Sequence, residues 1–111
     1  MKPRVNLWIE QDGQVVLSRW RIQLLEAIAE TGSISAAAEK LDVQYRRAWD
    51  KLHEMEAGLG VKLVDTAVGG KGGGGAQLTP AGQRAVDEFH AFENGLEAEV
   101  AQRFRRIYHP A

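Results

Sequence analysis

The chain has 111 residues, of which 44% are apolar, and it carries 14 basic and 15 acidic side chains but no cysteine. That length allows one domain with a small core, and the lack of thiols excludes disulfides and cysteine metal sites. No apolar run approaches the roughly 18 residues of a membrane span, and the N-terminus has no apolar signal-peptide block. We therefore expect a cytoplasmic protein with no membrane partner.

The net charge of −1 at pH 7 conceals a local excess of positive charge. Within residues 44–51, Arg46, Arg47 and Lys51 are accompanied by a single acidic residue, Asp50. Phosphate binding depends on the local surface and not on the sum over the chain. The balanced total therefore weakens the case for nucleic-acid binding without excluding it.

The N-terminal residues predict a β-hairpin. Val5, Leu7 and Ile9 alternate with residues of the opposite face, a pattern typical of a half-buried strand. Residues 11–14 have a composition typical of a turn, and the apolar residues 15–17 are expected to form the return strand.

Two helices are predicted to follow. The first begins after Ser18, a residue type that caps helices, and ends at residues 31–32. Its apolar stripe recurs at helical spacing and consists of Trp20, Leu24, Leu25, Ala27 and Ile28. The second helix is alanine-rich, with Ser35 as its expected cap and Leu41 as its last core residue. Its small side chains would let a neighbouring helix cross closely, as in a helix-turn-helix.

A third helix is predicted from about Gln44 to Ala57, with Ala48, Leu52 and Met55 facing inward. Trp49 is expected to be buried. The residues expected to face outward are Gln44, Tyr45, Arg46, Arg47, Asp50, Lys51 and Glu54.

Two short strands frame a glycine-rich loop. Residues 61–68 and 76–78 have strand patterns, and residues 69–75 contain six glycines around Lys71. Each glycine adds conformational entropy to the unfolded chain and no buried side chain, so the loop suggests a partner that approaches the backbone closely. A nucleotide-binding P-loop is excluded because Gly72, not Ser or Thr, follows the lysine and no helix begins there.

The last segment predicts a long helix that reaches about Tyr108. Thr79 is its expected cap and Pro80 its first residue, where a missing N–H costs nothing. Gly95 interrupts the helix and is a candidate kink. An apolar seam too long for a small body is expected to bind a second copy of the chain, and its residues are Val86, Phe89, Leu96, Val100 and Phe104.

Several of these segments resemble known regulators. Residues 32–41 and 78–82 look like the LysR-type winged-helix domain. Tyr45 with residues 48–50, the loop at 69–76 and the N-terminal hairpin look like the N-terminal DNA-binding domain of the molybdate-responsive ModE family. The resemblance covers nearly the whole chain.

The resemblance implies a mainly α fold with a small β-wing: a winged helix-turn-helix that has an N-terminal β-hairpin and a long C-terminal dimerisation helix. It divides the chain into a DNA-binding domain at residues 1–80 and the dimerisation helix at residues 81–111. Full-length ModE proteins continue into molybdate-binding modules, whereas this chain stops at Ala111. We therefore expect no cofactor, and no molybdate binding by this chain alone.

In a winged helix the third helix enters the major groove of DNA. Arg46 is a candidate to pair with guanine and Gln44 to pair with adenine. Tyr45 is a candidate to contact a phosphate or a thymine methyl group. Gln44 and Arg46 stand where the family leads us to expect Ser and Lys, which implies a different operator. The residues expected to contact double-stranded DNA are Ser33, Ser35, Gln44, Tyr45, Arg46, Arg47, Lys51, Lys71 and Gly72.

Each candidate also has a simpler interpretation. The third helix could be an ordinary solvated surface, the two serines could only cap a helix, and Asp50 is expected to hold an arginine rather than read a base. No enzyme is predicted, since His53, His90 and His109 share no ligand spacing and no catalytic set stands out.

The leading hypothesis is a sequence-specific transcriptional regulator that binds a palindromic operator as a dimer. Two alternatives remain open at this point. One is a winged-helix module for protein–protein interaction, which the near-neutral charge favours. The other is a sensor that binds a small ligand at the dimer interface.

Overall fold

The computed structural model describes residues 1–67 and 75–108, which form five helices and four strands. Their bounds, in chain order, are β1 (Trp8–Gln11), β2 (Gln14–Ser18), α1 (Arg19–Thr31), α2 (Ile34–Lys40), α3 (Tyr45–Leu59), β3 (Val64–Ala67), β4 (Gly75–Leu78), α4 (Pro80–Glu93) and α5 (Leu96–Tyr108). The strands pair as two antiparallel hairpins, as predicted. No helix in the described part of the chain has the length and apolarity to cross a membrane.

The N-terminal hairpin closes through a two-residue turn. Asp12 and Gly13 both have positive φ, at 54° and 78°, which matches the twist of the flanking strands. Val16 of β2 is only 2% exposed and packs against α3 at Gly58. A Cβ on Gly58 would lie 2.4 Å from Cγ1 of Val16, so the glycine allows the hairpin to approach the helix.

The helix boundaries follow from local capping. Ser18 caps α1 by accepting a hydrogen bond from the Arg21 amide, and Thr79 caps α4 by accepting from the Gly82 amide; both caps were predicted. The cap of α2 is Ser33, whose Oγ accepts from the Ala36 amide at 3.1 Å. The prediction of Ser35 was wrong because the helix begins earlier, at the buried Ile34.

One apolar core joins α1, α2, α3, the start of β3 and α4. Its members are buried residues at helical spacing, the first residue of β3 and the residue that precedes it: Ile22, Leu24, Leu25, Ala27, Ile28, Ile34, Ala37, Ala38, Ala48, Leu52, Met55, Leu63, Val64, Ala85, Val86 and Phe89. This arrangement holds α2 and α3 against a common base, α1.

The C-terminal helical segment is interrupted where Gly95 predicted it. α4 ends at Glu93, and Gly95 has a φ of 81°, so α5 begins a new helix. Val86 and Phe89 are 5% and 2% exposed, because α4 packs on the domain body. They cannot belong to an exposed seam, which corrects their assignment to a dimer surface. The other three seam residues lie on α5 and are half-buried.

Candidate nucleic-acid interface

The surface of α3 divides into four parts. The inward stripe is Ala48, Leu52 and Met55, each at most 2% exposed, as predicted. One flank faces α1, where the guanidinium carbon of Arg47 lies 5.9 Å from the ring centroid of Trp20. The opposite flank faces the residues that lead into the wing, and the wing is defined here as β3 and β4. The remaining outer face has no protein element packed on it in the described residues.

The flank toward α1 is fixed by a buried arginine. Arg21 is 7% exposed, and its Nη2 donates to Oε1 of Glu54 at 3.1 Å. Partial burial raises the pKa of Glu54, but the hydrogen bond from Arg21 and the nearby Lys51 ammonium together lower that pKa below its ordinary value. A carboxylate that stays ionised in turn keeps the buried guanidinium paired.

This pair differs from the sequence-based expectation, in which Glu54 is one of the residues that face largely outward. A signal existed, because Arg21 falls in register with the core positions Leu24, Leu25 and Ile28 of the same helix. A charged residue on an apolar stripe implies a buried partner of opposite charge.

The wing-side flank is fixed by Glu56. Its Oε2 accepts hydrogen bonds from the amides of Leu63 at 2.8 Å and Val64 at 3.2 Å. The Leu63 carbonyl in turn accepts from the Thr79 amide at 2.9 Å, and Gly82 approaches it so closely that a Cβ there would lie 2.1 Å from the oxygen. The base of the wing is thus held between α3 and α4. Nothing in the sequence distinguishes Glu56 from an ordinary surface carboxylate.

A second anchor joins the wing to the turn before α2. The amide of Ala76 on β4 donates to the Gly32 carbonyl at 2.8 Å. A cleft of about 280 Å³ lies beside this contact, and its lining includes Ser35, Tyr45 and Thr66. The starts of α2 and α3 and the base of the wing therefore meet at one place.

The outer face of α3 presents Arg46, whose side chain is 81% exposed and pairs with Asp50. Trp49 is 38% exposed, so the expectation of burial was wrong. It follows Ala48 by about 100° around the helix, which places the indole on the edge between the wing flank and the outer face. The indole stacks on His53, with 3.6 Å between ring centroids.

The remaining predicted contact residues are distributed as follows. Gln44 and Tyr45 are exposed at the start of α3, and the Gln44 side chain makes no capping hydrogen bond. Arg47 and Lys51 lie on the flank toward α1, away from the wing. Lys71 and Gly72, the predicted wing tip, lie outside the described residues. Within the described ranges, no group of three His, Asp or Glu side chains could hold a metal ion.

The chain is similar to curated proteins of molybdenum biology. It is 47% identical over 76 residues to the molybdenum-pterin-binding protein MopB of Rhodobacter capsulatus, a match that covers 68% of this chain and 28% of that protein. It is 41% identical over 86 residues to the DNA-binding transcriptional dual regulator ModE of Escherichia coli K12, covering 78% and 33%. The chain thus spans about a third of the length of the relatives it matches.

A solved structure has the same fold. The crystal structure of a CbnR_DBD–DNA complex superimposes with a TM-score of 0.59 at 26% identity, covering 81% of this chain and 97% of that one. The predicted winged helix-turn-helix is therefore confirmed. The family model described as bacterial regulatory helix-turn-helix protein, lysR family, matches residues 20–83. The chain belongs to this lysR family, whose members are DNA-binding transcriptional regulators and not enzymes.

Proposed function

We propose that this chain binds double-stranded DNA in a sequence-specific manner, as the DNA-binding part of a cytoplasmic transcriptional regulator. The observation that carries the proposal is the outer face of α3, which is exposed, bears Arg46 and adjoins the base of the wing. A helix and a wing on one surface suit the major groove and its flanking backbone.

Base reading is assigned to the start of α3. Arg46 has the fork of donors that matches the O6 and N7 atoms of guanine, and Gln44 can pair with adenine in the same way. Tyr45 lies at the cleft beside the wing, where it can reach a phosphate or a thymine methyl group.

The other candidates are assigned to the backbone. Arg47 and Lys51 are cations on the flank of α3, and Lys71 with Gly72 would approach the phosphates or the minor groove from the wing. Ser35 is exposed beside the start of α3. The Ser33 hydroxyl already accepts a hydrogen bond as the cap of α2. We assign it to the same phosphate contact as the backbone amides at the start of that helix.

The proposed active form is a dimer. A single winged helix supplies less contact than a specific site usually needs, and two-fold symmetry would place two α3 helices about one DNA turn, or a multiple of it, apart on a palindromic operator. Leu96, Val100 and Phe104 on α5 form the proposed contact between the two copies.

The test is a titration of the full chain on a random-sequence duplex at several salt concentrations. A DNA-binding domain loses affinity steeply as salt rises because phosphate contacts release counterions. Lys71→Ala is expected to reduce the slope of log affinity against log salt by about one. A protein that shows no measurable affinity even at low salt would contradict the proposal and favour the protein–protein module.

The names of the relatives raise the question of an oxyanion effector. The resemblance places molybdate-binding modules after the long helix, so we propose that residues 1–111 have no tight molybdate site. Calorimetry with molybdate on the purified chain is expected to give no saturable heat. A strong oxyanion site on these residues would overturn this view and direct attention to a sensor at the dimer interface.

A further inference from the structure

The outer face of α3 carries an arginine that two neighbouring side chains hold. Nε of Arg46 donates to Oδ1 of Asp50 at 3.3 Å, and its guanidinium carbon lies 5.9 Å from the ring centroid of Trp49. Within residues 1–67 and 75–108, its two terminal nitrogens donate to no other side chain. The guanidinium is therefore oriented while both terminal nitrogens stay available.

The indole beneath this arginine is itself fixed. Its ring stacks on His53 at an interplanar angle of 22°, and Nδ1 of His53 lies 2.8 Å from the Trp49 carbonyl oxygen. A carbonyl can only accept, so Nδ1 carries the proton. Arg46, Trp49, Asp50 and His53 thus form one connected cluster on a single helix face.

We propose that Asp50 is a positioning residue that determines specificity by presenting the two terminal nitrogens of Arg46 to one guanine. This inference rests on the DNA-binding function proposed above. The carboxylate occupies Nε and leaves the terminal pair to bind O6 and N7 of the base. A long side chain that is ordered before binding loses less conformational freedom on the DNA.

The role predicts that removal of Asp50 affects binding to random duplex and discrimination at the guanine differently. Asp50 is negatively charged and faces the same direction as Arg46, so phosphates repel it. Its removal is therefore expected to leave affinity for random duplex unchanged or higher, while discrimination at the guanine falls. A residue that only stabilised the fold would weaken both kinds of binding.

The experiment begins with selection of binding sequences from a random duplex pool by the wild-type protein. Each base pair of the selected sequence is then varied, and binding is measured for wild type and Arg46→Ala. The position that Arg46 reads is a G·C pair whose preference falls roughly five- to hundredfold in the variant. If no position loses preference, Arg46 does not read a base, and the proposed function loses its base-reading residue.

At the position so identified, Asp50→Ala is expected to reduce discrimination roughly two- to tenfold, the cost of ordering one long side chain. Asp50→Asn keeps an acceptor for Nε and should lose less. The matched control is Asp87→Ala, because Asp87 accepts from Gln83 at 3.0 Å with the same spacing on α4.

Three results would refute the role of Asp50 while leaving base reading by Arg46 intact. One is wild-type discrimination by Asp50→Ala. Another is an equal loss in the Asp87→Ala control. The third is a uniform loss of affinity for all duplexes, with thermal unfolding used to check that each variant is folded.

Discussion

α3 and α5 are helices of similar length, 15 and 13 residues, that the protein body holds very differently. α3 buries an apolar stripe and is fixed on both flanks, by Glu54 toward α1 and by Glu56 toward the wing. α5 buries none of its residues. The orientation of α3 is therefore set within one chain, whereas the described residues bury no side chain of α5, which is why we propose a second copy of the chain as its partner.

The connection between the body and α5 is correspondingly slight. Asn94 and Gly95 form the interruption, and the ion pair that crosses it joins Arg19 of α1 to Glu97 of α5 at 3.7 Å. Both side chains are about half exposed or more, and such surface pairs contribute little free energy. We infer that contact with a second copy of the chain, and not this ion pair, fixes the position of α5.

The largest expected effect comes from removing the proposed contact of α5. Leu96→Glu combined with Val100→Glu would place unpaired carboxylates in an apolar interface, which is strongly unfavourable. We expect a monomer whose affinity for a palindromic operator falls on the order of a thousandfold, toward the non-specific level. Sedimentation velocity and a binding titration measure the two effects.

Ala98→Glu combined with Gln102→Glu is the control for that experiment. It adds the same charge to exposed positions on the opposite side of α5 and should leave the dimer intact. A wild-type protein that sediments as a monomer at micromolar concentration and still protects a palindrome would contradict the contrast between the two helices.

An intermediate effect is expected where the wing is fastened to α3. Glu56→Ala leaves the amides of Leu63 and Val64 without their acceptor, so we expect a loss of about 1–3 kcal/mol in the free energy of unfolding. Glu56→Gln keeps one acceptor oxygen and should lose less. Urea unfolding measures both, and equal stability of all three proteins would show that the wing is held by other contacts.

The smallest effect concerns pH. His90 on α4 lies 2.9 Å from Oε2 of Glu26 on α1 and 3.5 Å from Oε1 of Glu93. The hydrogen bond to Glu26 raises the pKa of His90 above its ordinary value, and the lesser effect of partial burial opposes it. A raised folded-state pKa means that this contact stabilises the fold at low pH and is lost as pH rises through that pKa.

His90→Gln should therefore destabilise the protein more at about pH 6 than at about pH 8, since a smaller fraction of the histidine is protonated at the higher pH. The effect is expected to be small because the imidazole is half exposed. Unfolding curves at the two pH values test this prediction. If His90→Gln lowers the free energy of unfolding equally at both, the charged form of His90 does not stabilise the fold.

Local signals were enough to predict most of the fold. The capping residues Ser18 and Thr79 and the helical spacing of apolar residues each act within a few positions, so the sequence displays them directly. Ser33 and Ser35 are both acceptable caps, and only the burial of Ile34 decides between them.

The parts of the site that were missed depend on distant contacts. The partner of Arg21 lies 33 residues away on α3. Glu56 accepts hydrogen bonds from the amides at the start of β3, and the helical spacing of apolar residues does not reveal where that strand lies relative to α3. Trp49 shows a related limit, because spacing predicts an inward stripe but not how wide it is. The burial of two of the five seam residues, Val86 and Phe89, could be recognised only once α4 was seen packed on the body.

Reading of DNA sequence by Arg46 on α3 is tested by a comparison of two affinities. Binding of wild type and Arg46→Ala is measured by fluorescence anisotropy on a duplex selected by the wild-type protein and on its scrambled counterpart, at one salt concentration. We expect Arg46→Ala to lose about 1–3 kcal/mol of binding free energy on the selected duplex and less on the scrambled one. Equal affinity for the selected duplex, with the same bases protected in a footprint, would contradict this expectation.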